Sequence, residues 1–306
     1  MKLFINDNPV EIQLQGENNA YEIVKQLDTW LSEQGHALIG LALNGTPMNL
    51  SEADWRLTPI DQIESINIEA PNLHQLRLAN LGALNQYAET LNKALVELSM
   101  GQNTLPSVLR ALKTYPSIQP ALCYLTENLN KSGNSEDPII QETDKLFQDC
   151  SLPDGSFNAS ALPALAKQVH ALAVLSADRI NEASQPVHEA HTTAAILTEL
   201  IPQLGMVSTK LLTNKTKEAF DTILRFSELL GKLLRLFWLM LEIRGAGQEA
   251  PYSRDELQEW AILINQCLNQ VTEALDTQDT ILLGDLLEYE LPQHIEKLIA
   301  LIPAED

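Results

Sequence analysis

Basic residues are scarce in this sequence. Twenty Lys and Arg stand against 41 Asp and Glu in 306 residues, a net charge of −21. Neutralising phosphates supplies most nucleic-acid affinity, so a chain this acidic is expected to bind neither nucleic acid nor anionic lipid. Long apolar runs are missing too. The longest, Leu236 to Leu241, holds six residues, where a bilayer crossing needs roughly twenty. No membrane span is expected. The stretch "MKLFINDNPVEI" has one Lys, a short apolar run and no small-residue cleavage site, so a cytoplasmic location is expected. Cysteine is sparse and odd in number. Cys123, Cys150 and Cys267 lie far apart, which argues for reduced, buried thiols and against a disulfide framework or zinc site.

The signatures of catalysis are also absent. There is no G-x-S-x-G, no G-x-G-x-x-G and no Walker pattern, which removes the usual nucleophile elbow and phosphate cradles. The nearest approach to a metal motif is "PVHEAH", with His188 and His191 around Glu189. Zincins place two imidazoles four apart, on one helix face. Here the spacing is three, so these two are weak candidates, more simply read as surface histidines. Di-iron bundles need Glu-x-x-His on two helices, and Glu33 to His36 is the one such pair. No cofactor and no catalytic residue is assigned.

What is present divides by hydrophobic period. Hydrophobic residues make up 45% of the chain, ample for folded cores, and the length predicts two or three domains. "KLFIN" and "VEIQLQG" read as strands joined by a turn at Asp7 and Asn8, with Pro9 fixing the exit. Tyr21, Ile23, Val24, Leu27, Trp30 and Leu31 then recur at three- and four-residue steps, a buried helix face. "LIGLALNG" returns to strand character, with Asn44-Gly45 as a turn signal, and "IESINIEA" closes the region. The order β-β-α-β-β predicts a four-stranded β-grasp domain over residues 1–71.

This stretch resembles the sulfur-carrier and molybdopterin-carrier branch of the ubiquitin-like fold. The resemblance rests on "INDNPVEI", "LALNGTPM" and the run from Trp55 through "TPI" to "IESINI". It covers about 70 residues and implies the fold. Those carriers act through a C-terminal Gly-Gly, and at the equivalent place this chain reads "IEAPNLHQL". The resemblance therefore implies no sulfur-carrier activity.

Beyond Pro71 the pattern is helical. A helical segment is expected over 72–150 and a C-terminal bundle over 151–306, giving an α+β chain with a large all-α body. Loops are expected at Asn130 to Pro138 and Cys150 to Asn158, with Pro202 and Gly205 dividing a helix that opens at Pro186. "KEAFDTILRFSELLGKLLRLFWLMLEIR" is apolar on much of its circumference and should lie centrally, stopped by Gly245 and Gly247. Phe220, Ile223, Leu230, Leu234, Phe237 and Leu241 are its expected core face. Ser253 and Glu256 form an S-x-x-E capping box. Pro292 should bend the last helix.

One charge feature stands apart. Lys210 to Arg244 holds seven basic residues against four acidic ones, making it +3 in a chain whose remainder is −24. A buried charge cluster is expected, in which Arg225, Lys232 or Arg235 meets carboxylates of another helix, first Asp285 and Glu288. The leading functional reading is a non-enzymatic interaction module (adaptor, scaffold or chaperone-like) that binds another protein, with self-association left open. The alternative is a small-molecule- or metal-binding bundle with its site in the C-terminal body, at His188, His191, Asp285 and Glu288.

Overall fold

The computed structural model describes residues 1–11, 16–50, 52–125, 138–150, 158–244 and 252–305. A small mixed sheet of five strands precedes a large helical body. The chain divides into two compact units, residues 1–79 with 242–248, and residues 80–241 with 249–306.

In the first unit the strands are β1 (Lys2–Ile5), β2 (Asn8–Val10), β3 (Gly40–Leu43), β4 (Thr46–Met48) and β5 (Ser65–Glu69), with helix α1 (Ala20–Glu33) between β2 and β3. The sheet order is β2-β1-β5-β3-β4. β1 runs parallel to β5 and every other pairing is antiparallel. The sheet is mixed, as expected, and has one strand more than the sequence suggested. The added strand is β4, three residues built around Pro47, too short to show a period of two.

Both hairpins turn on two residues with positive φ. Asn6 and Asp7 (51° and 62°) make the first, one place earlier than expected, and Asn44 and Gly45 (52° and 79°) make the second. Asparagine tolerates this left-handed backbone, and the paired positive φ values match the twist of the flanking strands. The two asparagines also clamp β5. Asn6 donates to Ala70 O and accepts from Ala70 N, both at 2.8 Å. Asn44 accepts from the amides of Glu64 and Ser65 and donates to Gln62 O.

Each edge strand carries a proline beside its hairpin. Ile5 faces Asn8 across the first turn, so the next pair, Phe4 and Pro9, is a non-hydrogen-bonded one. Ala42 and Pro47 hold the same place in the second hairpin. In both strands the proline stands where an amide would point away from the sheet.

The sheet buries Leu3, Leu41, Leu43, Ile66 and Ile68 against Ile23, Val24 and Leu31 of α1. Tyr21 and Trp30, expected on the same stripe, are exposed. At 100° per residue they fall on opposite flanks of the buried stripe. Tyr21 instead lies 6.4 Å from the Trp55 ring, and the Arg56 guanidinium sits within 6 Å of both rings.

The second unit contains two apolar cores. One gathers α2 (Leu73–Ser99), α3 (Leu105–Ile118), α4 (Pro138–Cys150) and α5 (Leu162–Ser184) around Leu84, Leu91, Leu122, Phe147 and Leu165. Since α5 belongs to this core, the helical body does not part at residue 150. The other gathers α6 (Pro186–Leu204), α7 (Val207–Leu212), α8 (Thr216–Arg244), α9 (Arg254–Asp276), α10 (Thr280–Asp285) and α11 (Leu291–Ile299). Prolines open α3, α5 and α6, where the missing amide is no loss.

Gly205 and Met206 separate α6 from α7, as Pro202 and Gly205 foretold. Residues Leu286–Glu290 form a π-helical turn just ahead of Pro292. A proline ring clashes with the carbonyl four residues back, here that of Glu288, and the wider turn relieves that clash. The capping box at α9 is complete, with Ser253 accepting from Glu256 N at 3.1 Å and Glu256 accepting from Ser253 N at 2.7 Å. The expected loops at Asn130 to Pro138 and Cys150 to Asn158 lie outside the described residues except for Pro138, Cys150 and Asn158, as do Gly245 and Gly247.

Candidate functional site

Helix α8 organises the second core through a regular stripe. Ala219, Phe226, Leu230, Leu233, Phe237 and Met240 are all buried, at steps of seven, four, three, four and three. That spacing keeps one side of a helix facing inward. Phe220 was expected inside but is 50% exposed, and Leu224 is 60% exposed. The reason is phase: the stripe extends back to Ala219, and the next residue lies 100° round the helix. Ile223, Leu234 and Leu241 are half-buried at the margin of the core.

The basic residues of α8 divide in the same way. Arg235 meets Glu182 of α5 by two hydrogen bonds, Nε to Oε2 and Nη2 to Oε1, both 3.1 Å. Arg179, one turn before Glu182, adds Nη1 to Oε1 at 2.7 Å and also donates to Leu125 O. Glu182 is 1% exposed. A carboxylate so buried needs charge and donors around it, and two guanidinium groups supply both. Lys232 reaches Glu189 of α6 at 2.6 Å.

Asp285 and Glu288, the partners expected from sequence, are not part of this cluster. Both are exposed, and Glu288 packs over Gly205, its Cγ 3.3 Å from where a Cβ would stand. Arg225 is exposed and meets no carboxylate among the described residues. Sequence alone missed Glu182 and Glu189. A glutamate near Pro186 gives no sign that a helix 40 or 50 residues away will cover it.

His188 and His191 lead to separate partners. His188 Nδ1 lies 3.0 Å from Glu305 Oε1, and His191 Nε2 lies 2.8 Å from Pro303 O. The first turns of α6 thus hold the stretch that follows α11. Among the described residues no group of three or more His, Cys, Asp or Glu is placed to hold a metal. Burial raises the thiol pKa of Cys150, and that of Cys267 to about 11. Neither cysteine is poised as a nucleophile.

The surface of the second core has a different character. Leu212 is 69% exposed, Ile281 78% and Tyr289 58%, alongside Phe220, Leu224 and Leu282. Short contacts connect the elements that carry them. Lys210 of α7 donates to Thr222 Oγ1 of α8 at 3.1 Å. Ser208 Oγ of α7 lies 3.5 Å from the position of a Cβ on Gly284 in α10. That is an ordinary van der Waals distance, so α7 and α10 lie close enough at this point for a small side chain to touch across them. Lys215, Lys217, Arg225, Asp285, Glu288 and Glu290 are all exposed. Single exposed apolar side chains need no explanation, but Phe220 and Leu224 are two large ones spaced four apart on the outer face of one helix.

The matches to known families fall on these two regions. Residues 1–72 match the family described as the TP0873 N-terminal domain, and residues 188–300 match a domain of unknown function, DUF8042. The first covers the sheet with α1. The second runs from the start of α6 to the end of α11 and includes Phe220 and Leu224. No curated protein and no solved structure matches the chain.

Proposed function

We propose that this protein acts by binding another protein, as an adaptor, scaffold or chaperone-like module, and turns over no substrate. The observation that carries the reading is the position of Phe220 and Leu224. Both are on the side of α8 turned away from its buried stripe, where burial in the fold does not account for them. Apolar residues four apart on an exposed helix face are the anchors by which helices recognise one another. The charged groups of the same helix support this. Lys232 and Arg235 are engaged in pairs that hold α8 to α5 and α6, which leaves them a structural task.

A photo-crosslinking residue placed at Leu224, in the cell from which the sequence comes, tests the reading. A discrete protein adduct is expected from position 224 and none from Glu259, an exposed site on α9. No adduct at position 224 would remove this surface as a docking site.

A further inference from the structure

The outer face of α8 carries its charges in a definite order. From Lys217 to Glu228 the residues that are not exposed are Ala219, Thr222, Ile223 and Phe226, which turn toward the rest of the body. At 3.6 residues per turn, Lys217, Phe220, Leu224 and Glu228 fall within about 80° of one another on the opposite side. Asp221 and Arg225 run along one edge of this face, the edge on which Lys217 and Glu228 also lie. Glu218 stands further round and meets Lys215. Read along the edge, the charges alternate: Lys217, Asp221, Arg225, Glu228. Lys217 and Asp221 are four apart, as are Asp221 and Arg225, yet none of the four charges forms an ion pair among the described residues.

That order is complementary to itself. A two-fold axis across the face sets two copies of α8 antiparallel and keeps each edge on its own side. Plus, minus, plus, minus then meets minus, plus, minus, plus. Three pairings share one centre: Lys217 with Glu228, Phe220 with Leu224 and Asp221 with Arg225 have midpoints at Thr222 and Ile223, within about 1.5 Å along the helix axis. A common centre is what a second copy requires and an unrelated helix does not. We propose that a second copy of this chain docks on this face, α8 antiparallel to α8. Phe220 packs against the partner's Leu224, Lys217 meets the partner's Glu228 and Asp221 meets the partner's Arg225, each contact being made twice. A parallel arrangement would set like charges side by side. The net charge of −21 on each copy opposes association. At physiological ionic strength, however, repulsion beyond about 8 Å is screened, while direct contacts persist. One helix against its copy buries less than the roughly 1,200 Å² of stable complexes, so the association is reversible, with a dissociation constant of about 10–100 μM. The inference rests on the reading of Phe220 and Leu224 as docking anchors, and commits them to one occupant.

Sedimentation equilibrium of the full chain in ~0.15 M salt, up to about 500 μM, tests it. The unmodified protein is expected to pass from monomer to dimer within that range. Phe220→Asp and Leu224→Asp should each raise the dissociation constant at least about 30-fold, the loss typical of a central anchor. Since both side chains are exposed, circular dichroism should remain unchanged. Lys217→Glu and Glu228→Lys, made in separate chains, should each weaken the dimer about 5-fold or more, because the altered pair occurs twice. An equal mixture of the two variants should associate as the parent does, since each then offers the charge the other lacks. A monomer across the whole range overturns the inference, as does a dimer indifferent to these changes or a mixture that stays apart. The crosslink from position 224 separates the two levels. An adduct of two copies of this chain supports both. A monomer that still crosslinks there to a different protein loses the second copy and keeps the docking surface; a monomer without adduct loses both.

Discussion

Arg235 grips Glu182 across α8 and α5 with two parallel hydrogen bonds, and Arg179 closes the other side of the same carboxylate. The pairing ties the last helix of one core to the central helix of the other. Breaking a buried pair from one side leaves the remaining charge without its partner, which costs more than losing both members. Glu182→Ala should destabilise the helical body by about 3 kcal/mol. Glu182→Leu combined with Arg235→Met should cost clearly less than Glu182→Ala alone. Urea denaturation of the parent and the two variants measures this, and equal losses would contradict the account.

Phe237 and Phe220 make a paired test of the phase of α8. Phe237 is fully buried and packs edge-on against Tyr252, with ring centroids 5.0 Å apart. Phe237→Ala should cost about 3–5 kcal/mol. Phe220→Ala, on the outer side, should stay within about 0.5 kcal/mol when measured on the monomeric chain. The reverse order would mean that α8 is turned round in solution.

The asparagine clamps predict a graded series in the first unit. Asn6→Gly keeps the left-handed backbone but loses both bonds to Ala70, a loss of about 1–2 kcal/mol. Asn6→Ala adds roughly 1 kcal/mol more, since alanine resists positive φ. Amide exchange at β5 should accelerate in that order. A glycine variant as stable as the parent would show that the clamp contributes nothing.

His74 gives the first unit a dependence on acid. Burial lowers its pKa; Glu242 opposes that shift and Arg77 adds to it. Its Nδ1 is buried and has no hydrogen-bond partner among the described residues. Because the folded state favours the neutral ring, the unfolded chain takes up the proton first. Stability should therefore be complete above the ordinary histidine pKa of ~6.5 and fall as pH drops below it toward the lowered folded value. Thermal unfolding of the parent and of His74→Phe, compared at pH 7.5 and 5.5, should show a smaller fall for the variant. Identical falls would assign the acid sensitivity to other groups.

The parts of this protein that were legible in its sequence are those in which a residue's neighbours are close along the chain. Changes of period disclosed β1, α1, β3 and β5, and local chemistry disclosed the Ser253–Glu256 box and the break at Gly205. β4 was hidden because three residues around Pro47 carry no alternation. Phe220 was misplaced because a nearly all-apolar helix leaves its inward direction ambiguous, although the steps from Ala219 to Met240 contain the answer. The partners of Arg235 and Lys232 could not be read at all. Charge excess in α8 announced that carboxylates were needed, but the choice of Glu182 and Glu189 over Asp285 and Glu288 follows from how distant helices pack.

The prolines at positions 9 and 47 limit how the sheet can be extended. An incoming strand must find a row of free amides along an edge, and on both outer strands one of those amides does not exist. Addition of a strand beside β2 or β4, from a peptide ligand, a second copy or a stack of copies tending toward a fibre, is thus disfavoured. Any recognition by the first unit is thereby tilted toward side chains and away from the edge backbone. For a protein whose working surface is proposed to lie on helices, that restriction keeps the sheet from competing for partners.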